Sequence, residues 1–188
     1  MSIGPLNIIQ RYVTLSEAER DLVSSKWDSV SINKGEYLCK AGQVEHYFYI
    51  VDSGVLRLYF ENGLEEICLG FSYDHSWSGC YDSFLSRMPS RFFVQALSDC
   101  KLHRISYNSL QELYNEVSAM ERFGRLILEE LLVARSQREI EMMSLSSEER
   151  FDVFMNRSSH LLQLVAQKHL ASYLRMTPET FSRLRAKK

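Results

Sequence analysis

Between Asp28 and Ser106 apolar and polar residues alternate in short runs: YLCKA, HYFYIV, VLRLYF, EEICLGF, RFFVQAL and KLHRIS. A period of two puts every second side chain on one face, so each run predicts a half-buried strand. Turn signals separate them: Lys34-Gly35, Ala41-Gly42, Asp52-Ser53-Gly54 and Glu61-Asn62-Gly63. The last lies between two strand-like runs and predicts a hairpin. Many short strands at even spacing predict a closed or two-sheet β domain. No fixed-period repeat interrupts the pattern.

The flanks follow a helical period. Residues 15–26 (LSEAERDLVSSK) predict a short helix, with Ser16 as cap and Glu17 and Glu19 at its positive end. Residues 118–143 contain no Pro and predict one long helix. At 100° per residue Met120, Phe123, Ile127, Leu131 and Ala134 share a stripe, flanked by Val117, Leu128 and Leu132 on one side and Leu126 and Val133 on the other. A helix this apolar must bury more than one face, which predicts a β domain on one side and a second copy of the chain on the other. Ser146 and Glu149 form an S-x-x-E box that starts the next helix. The expected division is therefore a sensor domain over 1–117, a dimerisation helix over 118–143 and a C-terminal domain over 144–188.

Charge sharpens that division. From Arg150 to Lys188 the basic residues are Arg150, Arg157, Lys168, Arg175, Arg183, Arg185, Lys187 and Lys188, against Asp152 and Glu179. This end carries +6, the preceding 149 residues carry −8, and the whole chain carries −2. A basic end on an acidic body predicts a polyanionic partner for that end. No apolar run reaches the ~18 residues of a membrane span, and the start MSIGPLNIIQRY has no signal-peptide pattern. The expectation is a cytoplasmic protein that does not engage a membrane. Cys39, Cys68, Cys80 and Cys100 form no CxxC or Cys/His spacing, so the sequence predicts reduced core thiols and no metal.

Residues 167–188 read QKHLASYLRMTPETFSRLRAKK. Leu170 and Leu174 stand i, i+4, Phe181 and Leu184 i, i+3, and Ala171 is small where two helices would cross. This is the apolar skeleton of a helix-turn-helix. Thr177-Pro178-Glu179 is a helix start: a capping hydroxyl, Pro at the first turn, then an acid. Glu179 and Arg183 lie on one face, where Glu can accept from cytosine N4 and Arg can fork onto guanine O6 and N7. They are the expected base readers. Lys168, Thr177, Thr180, Ser182, Arg185 and Lys187 are the expected phosphate contacts. Arg175 stands where such turns favour Gly with φ > 0, at a cost of about 1 kcal/mol.

The order of β domain, long helix, capped hinge and helix-turn-helix resembles the Crp/Fnr family of bacterial transcription regulators over nearly the whole chain. The matching stretches are KGEYLCKAGQ, FYIVDSGVLRLYF, FVQALSDCKLHRIS and HLASYLRMTPETFSRLR. The resemblance implies an α+β protein. Its parts would be an N-terminal β-roll (a double-stranded β-helix, or cupin-like jelly roll), a dimerisation helix, and a winged-helix-like C-terminal domain. With Lys188 as the last residue, the wing is expected to be reduced or missing. The resemblance also implies a homodimer on a pseudo-palindromic site in double-stranded DNA, base reading by Glu179 and Arg183, and contact with RNA polymerase.

The same resemblance places an effector pocket at Gly79, Cys80, Asp82, Ser90 and Arg91. Cyclic-nucleotide binders carry Gly-Glu for the ribose and then Arg-Ser for the phosphate. Here Cys80 follows Gly79, and the later pair reads Ser90-Arg91. A one-residue slip along a strand would turn Arg91 to the opposite face. The expected effector is therefore a small molecule other than cyclic AMP, or none. No cofactor is identified, and no catalytic constellation is recognised; Cys80 with His75 and Asp82 is the nearest approach to one. The competing reading is a small-molecule sensor that acts mainly through protein contacts.

Overall fold

The computed structural model describes residues 4–187. The N-terminal signal reading at Met1–Ile3 and the basic contribution of Lys188 lie outside the described residues. Strands β1 (Asp28–Ile32), β2 (Tyr37–Cys39), β3 (Tyr47–Ser53), β4 (Leu56–Asn62), β5 (Glu65–Ser72), β6 (Trp77–Ser78), β7 (Phe93–Ala96) and β8 (Cys100–Ser106) form two four-stranded sheets. Their orders are β1-β8-β3-β6 and β2-β7-β4-β5. The β1–β8, β3–β8, β3–β6 and β2–β7 pairings are antiparallel. The result is the expected antiparallel β-roll, followed by C-terminal helices.

Helices α1 (Pro5–Ile9), α2 (Glu17–Ser25), α3 (Tyr81–Ser86), α4 (Tyr107–Glu116), α5 (Ser118–Ser144), α6 (Ser147–Ser158), α7 (Leu161–Leu164), α8 (Gln167–Tyr173) and α9 (Pro178–Ala186) complete the chain. Two starts are full capping boxes: Ser16 with Glu19, and Ser146 with Glu149. No helix is long and apolar enough to cross a membrane among the described residues.

The chain divides into two compact units. The first holds residues up to Leu58 and Phe71–Glu129. Its core joins Cys39, Tyr49, Val51, Leu56, Cys80, Val94, Ala96, Cys100 and Leu102. Strand β3 buries Tyr49, Ile50 and Val51 in succession rather than in alternation. A helical layer covers its second face. Phe48 stacks on Trp77 at 5.2 Å and meets Tyr81 and Phe84 of α3, while Trp77 meets Phe123 of α5 edge-on at 5.6 Å. Met120, Phe123, Gly124 and Ile127 of α5 are buried.

The second unit holds Tyr59–Gly70 and the chain from Glu130 onward. It does not follow the expected boundaries at 117 and 143, because part of the β4–β5 hairpin joins the C-terminal helices. Ser172 of α8 makes that join: its Oγ accepts the Cys68 N–H at 2.9 Å and donates to the Glu66 carbonyl at 3.1 Å. Phe151 and Phe154 of α6 pack edge-on against Phe181 of α9, with centroids 5.4 and 6.5 Å apart. Over its second half α5 exposes Leu132, Val133, Ile140 and Met143, and Leu128 just before them is also exposed.

Candidate functional site

Helices α8 and α9 are joined by a short turn whose backbone is tightly specified. The Leu174 N–H donates to the Leu170 carbonyl and the Met176 N–H to the Ala171 carbonyl, both at 3.0 Å. Arg175 takes φ 55°, the left-handed conformation expected of that position. Thr177 caps α9 by accepting the Thr180 N–H at 3.2 Å, with Pro178 at the first turn. Gln167 Nε2 donates across to the Pro178 carbonyl at 3.1 Å. Leu170, Ala171, Leu174, Phe181 and Leu184 are all buried. These contacts fix the direction in which α9 presents its outer face.

That face carries Glu179, Ser182, Arg183 and Arg185, all exposed, with Lys168 exposed on α8. The backbone N–H at its own position, and then the Thr177 hydroxyl, hold the Glu179 carboxyl below its ordinary value, so it is ionised. Thr177 is exposed and Thr180 half-buried, and their hydroxyls bond each other at 3.2 Å. Lys187 lies 3.5 Å from the Glu148 carboxylate, an exposed pair of small worth.

Two of the basic residues counted at this end are already engaged within the C-terminal unit. Arg150 donates to the Leu174 carbonyl at 2.8 Å, to the Arg175 carbonyl at 3.3 Å and to the Leu145 carbonyl, stapling the turn to the start of α6. Arg157 forks onto Glu141 at 3.0 and 3.1 Å. On α5, Arg138 bonds the Tyr173 carbonyl and lies 3.6 Å over its ring. A charge count cannot tell such staples from an anion-facing surface, because the signature of each is the same basic residue.

The five residues expected to line an effector pocket do not line one surface. Gly79, Cys80 and Ser90 are buried, whereas Asp82 and Arg91 are exposed. Contrary to the expected slip along a strand, residues 90–92 precede β7 and are not strand, so no shift in register turns Arg91. Arg91 is exposed because the Ser90 loop is tied down on either side. The Gly42 N–H donates to the Ser90 carbonyl and the Ser90 N–H to the Gln43 carbonyl, both at 2.8 Å. Ser90 Oγ accepts the Phe92 N–H at 2.9 Å.

An open cavity of about 810 Å³ lies beside this segment, lined among others by Cys39, Gln43, Glu45, Tyr47, Arg87 and Arg104. Arg87 is fixed by donating to the Glu45 and Phe84 carbonyls at 2.8 and 2.9 Å. Arg104 lies 4.3 Å over the Tyr47 ring. Its Nε is buried without a hydrogen-bond partner among the described residues, and the nearest anion, Asp28, is 3.9 Å away.

Glu45 is only 3% exposed. Its carboxylate accepts the Tyr47 N–H at 3.1 Å and the Cys80 N–H at 3.5 Å. Burial pushes its pKa up, and these amides oppose that shift. The sulfurs of Cys39 and Cys80 and a Glu45 carboxylate oxygen all lie within 4.8 Å of one another. A bond from the Cys80 thiol holds the Cys39 pKa below the ordinary cysteine value; the same bond, and then burial, push Cys80 up. Positions 39, 45 and 80 have no motif spacing; only the fold joins them.

Residues 29–117 match the family model of the cyclic nucleotide-binding domain. No curated protein matches the chain in sequence. Solved structures do match in fold. FixK2 from Bradyrhizobium japonicum is 20% identical with a TM-score of 0.70, covering 86% of this chain and 83% of that one. The c-di-GMP responsive global regulator CLP of Xanthomonas campestris is 17% identical with a TM-score of 0.67, covering 92% and 91%. The Thermus thermophilus catabolite activator protein is 20% identical with a TM-score of 0.58, covering 92% and 83%. Residues 29–117 are thus similar to the cyclic nucleotide-binding domain, in a chain that shares the fold of these solved structures.

Proposed function

We propose that this protein is a homodimeric transcription regulator that places α9 in the major groove of a pseudo-palindromic site. One observation carries the reading. A capped, internally stapled helix presents an ionised Glu179 and an exposed Arg183 one turn apart, flanked by exposed Lys168, Ser182 and Arg185. An acceptor and a forked donor on one face suit adjacent base edges, and the flanking groups suit phosphates. The expected contacts at Thr177, Thr180 and Lys187 are to the backbone. The exposed Leu128, Leu132, Val133, Ile140 and Met143 of α5 supply the apolar face that a second copy would cover.

The effector reading follows from charge. A cyclic phosphate seated at the start of α3 would meet the buried Glu45 carboxylate, which already takes the Cys80 N–H. Cys80 stands where a ribose-binding Glu would be needed, and Arg91 is turned to solvent. Cyclic AMP therefore does not suit this site. Arg104 in the cavity wall, whose Nε lacks a hydrogen bond among the described residues and has only the distant Asp28 carboxylate at 3.9 Å, suits a different ligand, one with an acidic or acceptor group. The same cavity favours the second reading, a small-molecule sensor acting through protein contacts.

Selection of bound sequences from a random duplex pool, with and without a metabolite extract, tests the proposal. It should return a two-fold site with half-sites about one helical turn apart. Recovery of unenriched sequence at low salt in both arms would favour the sensor alternative.

A further inference from the structure

We propose that Cys39, Glu45 and Cys80 form a binding site for a thiophilic divalent cation, with Zn²⁺ the best-suited ion. The three donors come from the end of β2, the loop before β3 and the N-cap of α3. All three are buried: Cys39 is 3%, Glu45 3% and Cys80 1% exposed. Their donor atoms lie within 4.8 Å of one another. Tetrahedral zinc holds sulfur at about 2.3 Å and carboxylate oxygen at about 2.1 Å, so ligand atoms lie roughly 3.7 Å apart. The cluster needs to close by at most about 1 Å to meet that geometry.

The chemistry of the donors agrees with that geometry. Two thiolates and one carboxylate select a borderline-soft ion over magnesium or calcium, which prefer all-oxygen shells. Glu45 is already aimed by the Tyr47 and Cys80 amides, with the His46 N–H and the Tyr49 hydroxyl beside it, which fix its orientation toward the two sulfurs. Binding would release the two thiol protons to solvent as the two sulfur–metal bonds form. Three anionic donors leave the bound ion with a residual negative charge, and Arg87 and Arg104 stand in the wall of the same cavity. Cys39 and Glu45 both line that cavity, so a fourth coordination position would open onto it. Three protein ligands with one open position is the pattern of a site that accepts a further ligand. The proposal is independent of DNA binding.

The full chain, reduced with a non-thiol phosphine, is titrated with Co²⁺ as the probe and then with Zn²⁺. Thiolate-to-cobalt charge-transfer absorption and tetrahedral d–d bands should saturate at one equivalent, and Zn²⁺ should abolish both. Glu45→Gln should weaken binding by about tenfold or more, Cys39→Ser should end it, and Cys100→Ser should leave it intact. Because a core variant can fail to fold, alkylation rates are also mapped by peptide mass on the unaltered protein. Zn²⁺ should slow modification of Cys39 and Cys80 selectively, with Cys68 and Cys100 unchanged. Absence of cobalt bands in the reduced protein, bands that survive Cys39→Ser, or protection confined to Cys68 and Cys100 would each overturn the proposal.

Discussion

Arg150 spends its guanidinium on the carbonyls of Leu145, Leu174 and Arg175, so a residue that adds to the basic count acts as a brace for the turn. Arg150→Met removes these charge-assisted bonds and leaves the carbonyls to water or to nothing. Bonds from charged groups contribute about 1.5–3 kcal/mol each in favourable settings. The C-terminal unit should therefore lose roughly that much in a denaturant melt, and an unchanged melt would remove Arg150 from the brace. Gly54 gives a second test at this scale. Its φ is +101°, and an added Cβ would lie 2.5 Å from the Asp99 carbonyl oxygen and 2.6 Å from Cys100 Sγ. Gly54→Ala combines strain with overpacking and should cost about 2 kcal/mol or more in chemical denaturation. What was legible at this scale is local chemistry: the Thr177 cap, Pro178 and the left-handed Arg175 all follow from neighbours in sequence. Cys39, Glu45 and Cys80 were not legible as a group, because the β-roll joins donors far apart in the chain.

Helices reveal themselves in the sequence where their ends and faces are self-contained. The capping boxes at Ser16 and Ser146 are S-x-x-E signals and both form. Helix α3 gave no such signal: Cys80 makes no side-chain cap, and its six residues are too few to show a period. The Ser90–Arg91 segment reads like strand by composition, but the bonds to Gly42 and Gln43 hold it as loop. The caps also carry a pH dependence. Glu149 is held below the ordinary 4.5 first by the Ser146 backbone N–H and then by its hydroxyl. A carboxylate whose folded pKa is depressed stabilises the fold above its unfolded value. That contribution is lost as pH falls through the folded pKa. Thermal midpoints should fall between about pH 5 and pH 3, and Ser146→Ala should shrink that fall while costing about 1 kcal/mol at neutral pH. An identical acid profile in the variant would contradict the capping account.

At the scale of the whole molecule, the two-sheet β-roll was readable because the six alternating runs match six of its eight strands; β1 and the two-residue β6 carry no such run. The compact units were not, since the hydrogen bonds of Ser172 to Glu66 and Cys68 cross more than a hundred residues of chain. The long α5 was predicted to bury more than one face, and a single copy leaves its second half open. Leu132→Glu combined with Val133→Glu should convert a dimer to a monomer in sedimentation, with helix content unchanged. A wild-type protein that sediments as a monomer at micromolar concentration would contradict the dimer. DNA binding should also weaken steeply with salt, since phosphate contacts by Lys168, Arg185 and their dimer mates release counterions. The most direct measurement is a fluorescence-anisotropy titration of a selected duplex against scrambled DNA, with the unaltered protein and a Glu179→Ala/Arg183→Ala variant. The account predicts that the unaltered protein prefers its site by about a thousandfold or more. The variant should keep nonspecific binding but lose that preference. Equal preference in both proteins would contradict α9 as the reading helix.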